Sequence, residues 1–67
     1  MNVSKMANCA DAIECIGRSL KHYMFYMSAG EYIPRSEDEI DKYDVQKYCF
    51  EIRQYLDKME DAIREEN

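Results

Sequence analysis

Two runs of apolar residues at alternating steps of three and four, separated by a glycine and a proline, restrict this chain more than any other feature. In the first run Met6, Cys9, Ile13, Ile16, Leu20, Tyr23 and Met27 recur at steps of 3, 4, 3, 4, 3, 4. In the second, Val45, Cys49, Ile52, Leu56, Met59 and Ile63 recur at steps of 4, 3, 4, 3, 4. Heptad spacing of this kind places one apolar stripe on each of two α-helices. Between them, Gly30 can take the positive φ of a left-handed helix cap, and Pro34 blocks continuation because the residue before a proline avoids the α region.

The pattern therefore predicts a first helix over about residues 4–29 and a second over about 36–65. The second opens on a capping box. Ser36 can accept from the backbone amide three residues on while Glu39 reaches back, and Glu37, Asp38 and Glu39 oppose the positive end of the helix dipole. Glu14 with Arg18, Asp38 with Lys42 and Glu60 with Arg64 stand in the favourable acid-first i, i+4 order. The connection from Gly30 to Arg35 is short enough to force neighbouring antiparallel helices. The expected fold class is all-α, an antiparallel two-helix hairpin forming one domain over residues 1–67.

A chain of 67 residues hides only about 60% of the surface its unfolded form exposes, and small folds of this size need a staple, a metal or a partner subunit. Disulfides are disfavoured as that staple, since Cys9, Cys15 and Cys49 are odd in number and lie within helical pattern. Only Cys15 falls outward enough to be reactive; Cys9 and Cys49 sit on the seams, where cysteine packs as a small hydrophobe. The expected solution is a homo-oligomer, a dimer forming a four-helix bundle or something larger, with Tyr48, Tyr55, Ala62 and Met24 widening the apolar faces.

Two phenylalanines lie outside the seams. At 100° per residue Arg18, His22 and Phe25 fall together on the far side of the first helix, and Tyr43 and Phe50 fall beside Lys47 and Gln54 on the far side of the second. A lone hairpin can bury only one seam, so these outward aromatics predict a contact surface for another protein made of Tyr43, Lys47, Phe50, Gln54, Arg18, His22 and Phe25. An alternative comes from the only stretch where cations and aromatics interleave. Arg18, Lys21, Tyr23 and Tyr26 from neighbouring subunits could enclose a small anionic ligand such as a nucleotide.

Charge excludes some functions. The chain carries a net −5, and residues 36–67 hold eleven acids against five cations while residues 1–35 hold three against four. Direct nucleic-acid binding needs a basic stripe that the second helix does not offer. Its acids, Glu37, Asp38, Glu39, Asp41 and Asp44 foremost, instead leave open mimicry of a nucleic acid, although Lys42, Lys47, Arg53, Lys58 and Arg64 interrupt the array. The longest apolar run, Tyr23 to Met27, is far short of a membrane span, and Met1 to Ala10 has no secretory pattern. The expectation is a cytoplasmic protein without membrane contact.

Chemistry is absent from the motifs. His22 is the sole histidine, Cys15 lies about 10 Å from it along the helix, and Asp11 with Cys15 supplies two ligands but no third. Ser4, Ser19, Ser28 and Ser36 have no glycine elbow. No enzyme activity, metal or cofactor is expected. In size and charge the chain resembles the small acidic inhibitors of host proteins, including defence-system components, that phages and mobile elements encode. The likeness implies a non-enzymatic protein-interaction module working in a host cytoplasm.

Overall fold

The computed structural model describes residues 1–66, so the final residue of the predicted 1–67 domain, Asn67, lies outside the described residues. The chain runs helix α1 (Val3–Met24), strand β1 (Phe25–Ser28), strand β2 (Glu31–Pro34), a 3-10 turn (Glu37–Glu39) and helix α2 (Lys42–Arg64). Two long helices form, as the heptad spacing predicts, but the chain is not all-α. A two-stranded antiparallel sheet stands between them, so the simple two-helix hairpin is overturned.

The first helix ends at Met24, not at 29. Phe25 adopts an extended conformation (φ −126°, ψ 155°), and its amide still donates to the Lys21 carbonyl as the last helical bond. What displaces helix here is cross-strand pairing of aromatic and β-branched residues, Tyr26 against Ile33 and Met27 against Tyr32, with Phe25 opposite Pro34. Ala29 and Gly30 both take positive φ (51° and 79°), the backbone of a two-residue type I′ turn. Gly30 is thus left-handed as predicted, yet it turns a β-hairpin and caps no helix. The Arg35 amide donates to the Met24 carbonyl at 2.9 Å, which satisfies an orphan acceptor of the last helical turn.

The second helix begins six residues later than predicted. Glu39 reaches back to Ser36, accepting from its backbone amide at 3.4 Å and its Oγ at 3.0 Å, but this box closes only the 3-10 turn. Ile40 is extended, and Asp41 caps α2 by accepting from the Tyr43 amide at 2.8 Å. At the opposite end Asn2 accepts from the Lys5 amide through Oδ1, capping α1, while its own amide donates to the Ala62 carbonyl at 2.8 Å. The Met1 amino group donates to the Glu65 carbonyl, and Lys5 pairs with Glu65 at 3.5 Å. These links tie the start of α1 to the end of α2. Tyr23 and Asp44 tie the other ends, so the helices are antiparallel.

The molecule is a plate. Its Cα atoms span 48 × 26 × 9 Å, which is one helix layer deep given that Cα atoms lie about 2.3 Å from a helix axis. The radius of gyration is 15.4 Å, against about 11 Å for a compact domain of this length. Consequently the core is a line: Cys9 and Ala62 are the buried apolar residues, and of the remaining predicted seam positions all are half-buried except Met27, Leu56 and Ile63, which are exposed.

Ala62 also fixes the rotation of α2. With Ala62 facing α1, the inner line runs Tyr48, Tyr55 and Ala62, seven residues apart, with Ile52 and Met59 beside it. Leu56 and Ile63, expected in the seam, are 45% and 52% exposed. The wide apolar arc of α2 supports two heptad phases, and the methyl side chain of Ala62 allows the closer helix approach that selects this one.

Candidate interaction site

On α2, Tyr43, Lys47, Phe50 and Gln54 form a continuous strip, and all four are exposed as their i, i+4, i+7, i+11 spacing predicts. Tyr43 is 67% and Phe50 58% exposed. The Asp41 cap holds the Tyr43 backbone, and the Lys42 ammonium lies 5.2 Å from the Tyr43 ring centre. Placing Ala62 toward α1, these four residues fall between about 60° and 120° to one side, so they lie on a broad face of the plate, with Phe50 nearest its outer edge.

The companion set on the first helix is not assembled. Arg18 and His22 are exposed on the outer edge of α1, Arg18 paired with Glu14 at 3.1 Å. Phe25 does not join them. It belongs to β1, is half-buried, and packs edge-on against Tyr32 with ring centres 6.3 Å apart. Ending the helix at Met24 removes the rotation that would have carried Phe25 outward. The two predicted protein-binding sets therefore occupy different sides of the plate, a broad face of α2 and the outer edge of α1, and make no single surface.

The predicted anion-binding residues are also dispersed, each held by a different neighbour. Arg18 pairs with Glu14, the Lys21 ammonium sits 4.1 Å from the Tyr32 ring centre, and the Arg35 guanidinium lies 5.7 Å from that of Tyr26. The Tyr23 hydroxyl donates to Asp44 Oδ2 at 3.0 Å and accepts from the Asp41 amide at 2.8 Å. That amide favours the phenolate, but partial burial and the negative Asp44 and Asp41 carboxylates outweigh it and raise the Tyr23 pKa. Tyr23 lines an open cavity of about 300 Å³ with Asp44, Lys47, Tyr48 and Glu51. An anion entering it would meet two carboxylates for one ammonium.

Cys9 is buried, Cys49 half-buried and Cys15 exposed, all three as free thiols. Among the described residues no three His, Cys, Asp or Glu side chains gather into a metal-binding set, and no helix is long and apolar enough to cross a membrane.

Several exposed apolar side chains escape the periodicity argument. Leu56 and Ile63 do so because the seam chooses the other phase of α2. Tyr26, Met27 and Tyr32 do so because they stand in strands. Their sequence signal is a pair of short aromatic and apolar runs flanking Ala29 and Gly30, with Phe25, Tyr26 and Met27 before the turn and Tyr32 and Ile33 after it. No protein-family model, curated protein or solved structure matches the chain.

Proposed function

We propose that this chain is a small acidic protein-interaction module that acts by occupying a partner's surface, with Tyr43, Lys47, Phe50 and Gln54 as the contact strip. Phe50 carries the reading. It stands in mid-helix, 58% exposed and outside the seam, although a buried phenylalanine would gain roughly 1.5–3 kcal/mol. Tyr43 and Lys47 beside it supply an amphipathic rim. The eleven acids against five cations of residues 36–67 define the partner as an apolar cleft flanked by basic residues. Inhibition of a host protein is the form such occupancy would take. The anionic-ligand alternative draws no support from the dispersal of Arg18, Lys21, Tyr23 and Tyr26.

A photo-crosslinking amino acid at position 50 tests the strip, with the same group at position 22 on the outer edge of α1 as the comparison. A discrete adduct is expected from position 50 alone, suppressed by rising salt and by unlabelled wild-type chain. Phe50→Ala should compete at least about 30-fold less well, the loss of an interface hot spot. Equal competition by Phe50→Ala would reject this strip.

A further inference from the structure

The plate has two unlike broad faces. In an antiparallel pair lying side by side, turning by the same sense from the seam on each helix leads to the same broad face. With Ala62 toward α1, Met59, Ile52, Val45, Ile63, Leu56 and Cys49 fall at about 60° to 140° on one side. With Cys9 toward α2, Ile13, Met6, Met24, Gly17 and Ala10 fall at about 40° to 100° in the same sense. The Lys5–Glu65 pair fixes the geometry, since both residues fall on the other side and meet there at 3.5 Å. One broad face is therefore apolar from end to end, while the other carries Lys5, Tyr23, Lys47, Glu51 and Glu65.

We infer that the apolar face, centred on Ile13, Ile52, Leu56 and Ile63, is covered by a second copy of this chain. Area is the first argument. The chain exposes 5307 Å² for a mass of 8.0 kDa, whereas a compact monomer of that mass exposes about 4,450 Å². The excess, about 850 Å², matches the roughly 800 Å² per partner that a standard stable interface removes.

Charge is the second argument. Two copies at −5 each repel in general, yet this face is close to neutral. Its rim carries Glu14 and Lys21 from α1 with Lys42 and Glu60 from α2, two charges of each sign. The acids that make the chain negative, among them Glu37, Asp38, Asp57, Asp61 and Glu65, lie at the turn or on the other sides of α2. The face thus offers a second copy apolar burial without like-charge opposition. Two nearly equal helices, 22 and 23 residues long, suit a twofold arrangement in which each copy presents the same patch. The Tyr43–Phe50 strip remains outside this contact, so the dimer displays it twice.

This dimer stands or falls separately from the target-binding reading. Sedimentation equilibrium on the full chain is expected to give twice the monomer mass, with a thermal midpoint that rises with protein concentration. Leu56→Glu puts a charge at the centre of the contact and should weaken self-association on the order of 100-fold. Phe50→Glu, on the side away from the apolar face, should leave the dimer intact. A wild-type monomer at about 100 µM, where only a weak contact stays dissociated, would overturn the inference, as would a Leu56→Glu dimer as tight as wild type. Where Leu56→Glu unfolds, the wild-type midpoint decides: independence from concentration rejects the dimer.

Discussion

The helical pair and the β-hairpin are held by contacts of very different reach. Asn2 bonds to Ala62 and Lys5 to Glu65, so the plate closes across almost the whole chain. The hairpin closes within a dozen residues through Phe25 on Tyr32, Lys21 on Tyr32, Arg35 on Tyr26 and the Arg35 amide on the Met24 carbonyl. One region depends on a long apolar line and the other on a two-residue turn plus aromatic pairs. A substitution in either should therefore damage its own region first. That expectation can be broken.

The largest effect belongs to Ala62, which is fully buried on the line between the helices. Ala62→Leu inserts three carbons where no space is left, and overpacking of this kind costs about 1–3 kcal/mol. In urea denaturation the helix signal should fail at lower denaturant. The amide signals of Met27 and Tyr32 should keep their strand shifts until the helices go. A loss of hairpin signals ahead of helix signals would show that the two regions are not separable in this way.

The turn gives a pair of opposite sign. Gly30 has φ 79° with open space where a Cβ would stand, so Gly30→Ala is penalised by backbone conformation alone; the left-handed region costs a non-glycine residue roughly 1–2 kcal/mol. Ala29 already bears that strain at φ 51°. Ala29→Gly relieves it, less the extra unfolded-state entropy of glycine, for a gain of about 0.5 kcal/mol. Cross-strand amide exchange at Tyr26 and Ile33, a hydrogen-bonded pair of the ladder, should quicken in Gly30→Ala and slow in Ala29→Gly. Equal exchange in the two variants would refute the type I′ assignment as the element that holds the strands.

The same contrast explains what could be read from residues alone. Heptad spacing sums a weak preference over twenty positions, and it located both helices and the exposed strip Tyr43, Lys47, Phe50 and Gln54. It did not fix the rotation of α2, because the 45, 49, 52, 56, 59, 63 line and the 45, 48, 52, 55, 59, 62 line have the same spacing. Only the contact with α1 chooses between them, through the small Ala62. The hairpin is a different kind of omission. Gly30 with positive φ fits a helix cap and a tight turn equally well, and the decision lies with residues on both sides of it. Tyr32 and Ile33 pairing with Met27 and Tyr26 outweigh the five further residues of helix, to 29, that the seam and a Gly30 cap implied. The capping box at Ser36 was legible for the same reason it misled: its residues bond as the motif requires, but extended Ile40 stops the turn before a helix grows.

Glu39 offers the gentlest test of locality. Its carboxylate accepts from the Ser36 hydroxyl and the Ser36 amide and lies 3.4 Å from the Arg35 guanidinium, and these partners hold its pKa below the ordinary glutamate range. A pKa lowered by folding means that the stabilisation is present above the ordinary value and is lost as pH falls through the folded one. Acidification should therefore loosen the 35–39 junction, and Glu39→Gln should remove that acid response. The group faces water, so screening keeps the effect small. The amide shifts of Ser36 and Glu39 should follow the carboxylate's titration while those of Cys9 and Ala62 do not. If the Cys9 and Ala62 amides titrate with Glu39, and cease to do so in Glu39→Gln, then the junction is coupled to the helix seam and the division of the molecule into a long-range plate and a locally closed hairpin is wrong.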